Sequence, residues 1–263
     1  MNDVRGLPSR LLRKPSDAAG ARVFCVPYSG VGGSMFSGWP RWIGPAEVCP
    51  IQLPARENRV REPHYGTYEV LARDLVDQLL PYLDRPFLLF GHCAGALPAF
   101  ETVALLAENG LPLPHQLVVS AQVPPHHCPQ DRFLDMDDEQ LGKELGRLIV
   151  ERGGTPHPAL IELTLEVLHQ DLDANRSYRR ERPLRLPVGI TALHWADDDE
   201  ITPEQIRPWQ EYSADVRFPV LDGGHYTFLS APDKLTELLA RLLAEPGSPQ
   251  PSGAGTGHTE GHG

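Results

Sequence analysis

The sequence holds only four cysteines in 263 residues, Cys25, Cys49, Cys93 and Cys128, and no two of them form a CxxC pair. That spacing excludes a disulfide framework and the common zinc and redox motifs, so free thiols are expected. No apolar run reaches the roughly 18 to 20 residues of a membrane span. The opening MNDVRGLPSRLLRKPSDAAG lacks the apolar centre of a signal peptide, which predicts a cytoplasmic protein that does not engage a membrane. Base is also scarce: 24 Lys and Arg face 35 Asp and Glu, for a net charge of -11. A nucleic-acid or anionic-membrane surface would want a clustered basic face, and neither partner is expected. No metal is expected either. His126, His127 and Cys128 are contiguous in a Pro-rich stretch and would not converge on one ion, and nothing would hold His258 and His262 in a coordination geometry.

What is present is an alternation of short apolar runs with longer amphipathic ones, the pattern of a mostly parallel sheet covered by helices. Strands are predicted at 22–27, 46–54, 85–90, 117–120, 188–194 and 215–221. Helices are predicted at 67–80, where Leu71, Leu75, Val76 and Leu79 share a stripe, at 232–243, and from the capping pattern TPEQ at 202–205. The stretch 121–184 breaks the alternation with a Pro-rich hinge and two helical patterns, 137–151 and 158–172. It reads as a helical lid inserted into one α/β core made of 1–120 and 185–244. The second pattern is apolar around most of its circumference, so it either packs on two sides or lines an apolar cavity. Residues 245–263, rich in Gly, Pro and Ser, read as a disordered tail.

The chemistry gathers at three places. GHCAG (91–95) follows an apolar strand and precedes a helical stretch, as a nucleophile elbow requires, with Cys93 in the reactive position. Gly91 and Gly95 suit the sharp turn, and a helix N-terminus there would favour a thiolate on an exposed Cys93. GGHYTFL (223–229) sets His225 in a glycine-supported loop after the last strand, and HWADDDEIT (194–202) offers Asp197, Asp198 and Asp199 at the end of the strand before it. Nucleophile, acid, histidine is the chain order of α/β-hydrolases.

The segments VFCVPYSGVGGSMFSGW (23–39), IQLPARENRVREP (51–63), GHCAGALPAFE (91–101), GGTP (153–156) and DGGHYTFL (222–229) resemble successive stations of the type II thioesterases, the stand-alone editing enzymes of polyketide and nonribosomal peptide synthesis. The resemblance runs from about residue 11 to residue 243. It implies an α/β-hydrolase fold with Cys93 as nucleophile, His225 as general base and Asp198 as orienting acid, Asp197 being the fallback. It further implies the backbone N–H groups of Ser29 and Ala94 as oxyanion donors, a lid over an acyl pocket, acyl or peptidyl carrier proteins as partners, and no cofactor beyond the partner's phosphopantetheine. Three positions depart from the family: Ala55 replaces a glycine, Val31 stands where a second glycine often follows the first, and Cys93 replaces the usual serine. The first two are expected to narrow backbone freedom only mildly.

Cys93 matters more. Its attack on a carrier thioester gives another thioester, so the acyl group could go to water or to a second carrier thiol. Hydrolysis is the leading expectation, with carrier-to-carrier transfer as the alternative. RSYRRERPLR (176–185), the densest basic run, is either a solvated linker or a docking site for an acidic carrier.

Overall fold

In the computed structural model, which describes residues 10–151 and 154–245, the apolar runs lie side by side as β1 (Ala21–Val26), β2 (Trp42–Ile43), β3 (Ala46–Pro50), β4 (Phe87–His92), β5 (Gln116–Ser120), β6 (Gly189–Trp195), β7 (Val216–Arg217) and β8 (Val220–Leu221). The order is β2-β3-β1-β4-β5-β6-β7, with β8 also on β6, and only β2–β3 is antiparallel. Every residue of β1, β3, β4, β5 and β6 is buried, as strands covered on both faces must be. This is an α/β-hydrolase fold. From β1 the chain moves outward to β3 and returns on the other side as β4. The loops leaving β1 and β4 therefore open onto one crevice at the carboxyl ends of the strands.

Two of the expected strands end early at prolines. The run 46–54 stops as a strand at Pro50, and the run 215–221 splits into β7 and β8 around Pro219, which has no N–H for the ladder. The helices α1 (Tyr68–Leu79) and α2 (Ala96–Glu108) cover one face of the sheet, while α6 (Asp233–Ala244) covers the other. Thr67 caps α1 by accepting from the Val70 N–H, and Leu71, Leu75, Val76 and Leu79 are its buried stripe. Thr202 and Gln205 form the expected capping box on the short α5 (Pro203–Ile206).

Between β5 and β6 lie α3 (Asp138–Glu151) and α4 (Pro158–Ser177). They pack on each other through Leu141, Leu145, Leu148, Leu168 and Leu172. The two readings of the second helical pattern hold for different halves of α4. Its C-terminal half is buried at Val167, Leu168, Asp171 and Leu172, whereas Leu160 and Leu163 remain 53% and 55% exposed. The tail expected at 245–263 lies, after Glu245, outside the described residues, as do His258 and His262.

The basic run is neither wholly linker nor wholly free surface. Arg180 pairs with the buried Glu101 through two bonds of 2.6 and 2.5 Å, and Tyr178 donates its hydroxyl to the same carboxylate at 2.5 Å. Arg179 is exposed. Arg180→Glu is therefore expected to destabilise the fold by about 3 kcal/mol, because it leaves a buried carboxylate facing another charge of its own sign. Arg179→Glu should stay within about 0.5 kcal/mol. Denaturant titration of the two variants checks the contrast, and equal stability would overturn this account of the run.

Candidate active site

β4 ends at His92, and the chain turns through Cys93–Gly95 directly into α2. Cys93 sits at φ +49°, in the left-handed region that non-glycine residues adopt at a cost of about 1–2 kcal/mol. The surrounding packing holds it there. A Cβ on Gly91 would lie 2.6 Å from Ala96 Cα, and one on Gly95 would lie 2.6 Å from Pro27 O. Both elbow positions thus admit only glycine without backbone movement, and Gly95 brings the nucleophile turn against the loop that leaves β1.

His225 follows Gly223, whose φ of +114° few side chains tolerate, and its ring is buried. Its Nδ1 lies 3.0 and 3.2 Å from the two oxygens of Asp198. Asp198 also accepts the backbone N–H groups of Glu200 at 2.9 Å and Ile201 at 3.2 Å. Burial alone would raise its pKa, but the His225 bond and these two donors hold it below the usual carboxylate range. Of the acidic cluster, the structure brings Asp198 to the imidazole. Asp197 and Asp199 are exposed, and Asp197 contributes its backbone N–H to Gly223 O at 3.0 Å, tying the acid loop to the histidine loop. His225 Nε2 is buried without a hydrogen-bond partner, Cys93 included, among the described residues. Glu200 Oε2 lies 3.4 Å from it.

Ser29 is buried in the loop after β1, and the Ala94 N–H reaches the Cys93 sulfur.

The thioesterase domain family matches residues 21–245. The chain belongs to this family. The thioesterase is 31% identical over 252 residues to the protein named linear gramicidin dehydrogenase LgrE of Brevibacillus parabrevis, covering 90% of this chain and 93% of that one. RedJ, a thioesterase from the prodiginine biosynthetic pathway in Streptomyces coelicolor, superposes with a TM-score of 0.72 at 33% identity, over 86% of this chain and 87% of RedJ. BorB, the type II thioesterase from the borrelidin biosynthetic cluster, superposes with a TM-score of 0.77 at 26% identity, over 92% of this chain and all of BorB. The protein is accordingly an enzyme, a thioester hydrolase.

The thioesterase's electrostatics depart from one expectation. Cys93 is half-buried, and burial, reinforced by the negative charges of Asp131, Glu200 and Asp198, pushes its thiol well above the ordinary value against the pull of the Ala94 N–H. A helix N-terminus would favour a thiolate, but here desolvation and three carboxylates outweigh it. Cys93 therefore rests as a protonated thiol, and to act as a nucleophile it would need a base, as a serine would. Asp131→Asn removes one of those charges and so lowers the thiol pKa. Iodoacetamide labelling of Cys93 at pH 8 should then rise on the order of tenfold. A labelling curve that does not move to lower pH would show that Asp131 does not act on the sulfur.

Several further groups of the site carried no sequence signal. Asp131, raised by burial, accepts from the Ser29 hydroxyl at 3.4 Å and the Phe133 N–H at 2.9 Å. His92 is fully buried, 2.9 Å from Ser120 Oγ and stacked on Phe228, and burial keeps it neutral. Asp171, on α4 and 1% exposed, receives five donors: Gly30 N–H at 2.7 Å, Arg56 at 2.7 and 2.8 Å, His64 Nε2 at 2.7 Å and Tyr65 Oη at 2.6 Å. The Gly66 N–H donates to His64 Nδ1 at 3.0 Å, which places a neutral ring's proton on Nε2, facing Asp171. Ala55 stands at φ +66°, so its departure from glycine is more than a narrowing of freedom: it holds an alanine in the left-handed region. Val31 has no such strain and lines the cavity described next.

Two cavities flank the site. One, of about 520 Å³ and largely apolar, is lined by Ser29, Val31, Phe133, Leu148, Leu163 and Val167. The other, of about 490 Å³, is polar, with Arg132, Asp197, Asp199, Glu200, His225 and Thr227 among its walls. No group of three or more His, Cys, Asp or Glu side chains placed to hold a metal occurs among the described residues. No helix among them is long and apolar enough to cross a membrane.

Proposed function

We propose that the protein hydrolyses acyl groups from the phosphopantetheine arms of acyl or peptidyl carrier proteins, clearing misprimed or stalled assembly lines, with Cys93, His225 and Asp198 as its triad. The observation that supports this reading is the Asp198–His225 contact of 3.0 Å beside a cysteine held at φ +49° in a nucleophile elbow. The likeness to RedJ and BorB, thioesterases of biosynthetic pathways, agrees with it. Cys93 attacks the thioester carbonyl as His225 Nε2 takes the thiol proton. Ser29 and Ala94 N–H groups stabilise the oxyanion, and Asp198 steadies the imidazolium. The same proton then leaves with the pantetheine thiol, and water releases the acid. The only prosthetic group this chemistry needs is the arm that the substrate carries.

The apolar cavity beside Ser29 is the acyl chamber in this reading, with α3 and α4 as its lid. Intact-protein mass spectrometry of the enzyme with one acyl-loaded carrier and one unloaded carrier of different mass tests it. The expected result is loss of the acyl group from the first carrier with no gain on the second. Cys93-dependent gain on the second carrier would instead make the protein an acyl shuttle.

A further inference from the structure

Nothing in a Cys-His-Asp triad decides whether a thioester on Cys93 meets water or another thiol, and the surroundings of His225 Nε2 bear on that choice. Nδ1 is engaged by Asp198, which leaves Nε2 as the ring's one remaining base atom. That atom is buried and unpartnered among the described residues, with Glu200 Oε2 3.4 Å away. Glu200 is also ion-paired: its Oε1 lies 3.1 Å from Arg132 Nε, and Arg132 in turn pairs with Glu144 on α3. Both Glu200 and His225 line the polar cavity, whereas Ser29 lines the apolar one. The site is therefore bordered by an apolar cavity, fit for an acyl chain, and by a polar one walled by the Glu200 carboxylate and the His225 ring.

We propose that Glu200 is the water-positioning residue of the deacylation step. This inference rests on the Cys93 acyl-enzyme proposed above. A water donating one hydrogen to Nε2 and the other to Glu200 presents its oxygen to the thioester carbonyl. As that oxygen attacks, its proton passes to Nε2. The C–S bond then breaks, Nε2 returns the proton to the Cys93 sulfur, and the acyl group departs as a carboxylic acid. Acylation makes no such demand, because there the proton on Nε2 comes from Cys93 and leaves on the carrier's thiol. Glu200 thus positions water in deacylation alone, its charge otherwise only raising the Cys93 thiol, and it biases the acyl-enzyme towards water.

The test uses the small thioester S-hexanoyl-N-acetylcysteamine, with Cys93 acylation and its decay followed by rapid quench and intact mass. In Glu200→Gln, acylation should be at least as fast as in the parent protein, while hydrolytic decay slows roughly 10- to 100-fold and the acyl-enzyme accumulates. Added N-acetylcysteamine should discharge both proteins at similar rates, and Glu200→Asp should recover part of the decay. Should Glu200→Gln not fold, Arg132→Gln, which unpins the carboxylate but keeps it, is expected to slow decay several-fold. Unchanged decay, or acylation and decay falling together, overturns the role of Glu200 while leaving Cys93 as nucleophile. Absence of any Cys93 adduct in the parent protein overturns the Cys93 reading and this inference with it.

Discussion

Cys93→Ala is expected to leave carrier-bound thioesters essentially intact, with turnover down roughly 10⁴-fold while substrate binding is unchanged. The fold should survive, because alanine fits the half-buried site and meets the same left-handed backbone strain that cysteine already bears. On the proposed mechanism, what is lost is the atom that forms the acyl-enzyme, while the Ser29 and Ala94 N–H groups and the apolar cavity stay, so only residual catalysis remains. Cys93→Ser is the informative companion. Since the resting cysteine is a protonated thiol that in the proposed mechanism gives its proton to His225, the site would work the way a serine site works, and the serine variant should keep hydrolysis within about 100-fold of the parent. Its acyl-enzyme is an oxyester, more stable than the thioester, so return of the acyl group to a thiol becomes unfavourable. Steady-state hydrolysis of an acyl-pantetheine by both variants checks these outcomes. Alanine retaining turnover would refute the nucleophile assignment.

The second large effect is expected far from the reacting atoms. Asp171→Asn should cost about 3–5 kcal/mol, because Arg56, itself 5% exposed, would be left as a buried guanidinium without its counter-charge. For a chain of this size that corresponds to a fall in Tm of about 10 °C. Burial would push the Asp171 carboxyl up, but Arg56, His64 and Tyr65 hold it well below the usual carboxylate range. A folded-state pKa below the unfolded value contributes stability that is present above about pH 4 and is lost as the pH falls through the folded value. The parent protein should therefore lose stability steeply below pH 4, and Asp171→Asn should flatten that part of the curve. The variant should also lose activity before it unfolds, since Asp171 holds the Gly30 N–H next to Ser29. Thermal melts from pH 3 to 7 decide it: an unchanged acid limb would mean that Asp171 is not the coupled group.

The fold was legible because its parallel strands are buried on both faces and read as short unbroken apolar runs, and because Gly91, Gly95 and Gly223 mark turns that a side chain would obstruct. Where the reading slipped, local chemistry lay beneath the pattern. Pro219 sat inside an apolar run, where its missing N–H interrupts the ladder on β6, and the run 46–54 left the sheet after Pro50 although Ile51 still donates to Cys25 O. The triad candidates were legible through chain order, which needs no knowledge of distance. Asp131, Glu200 and Asp171 were not. Each is a single carboxylate whose meaning lies in partners far along the chain: Ser29 is 102 positions from Asp131 and Arg56 is 115 from Asp171. The raised thiol of Cys93 was hidden for the same reason. A helix N-terminus can be read locally, but the three carboxylates that oppose it converge only in space.

The division of α4 into an anchored half and an open half also bears on how such an enzyme changes over generations. Val167, Leu168, Asp171, Leu172, Ala174 and Asn175 are buried, so substitutions there cost stability. Leu160 and Leu163, more than half exposed on the same helix, contribute little to stability yet line the chamber. Substitutions at these positions can resize the cavity, which on the proposed function would turn the enzyme towards a different acyl cargo, without passing through an unfolded ancestor.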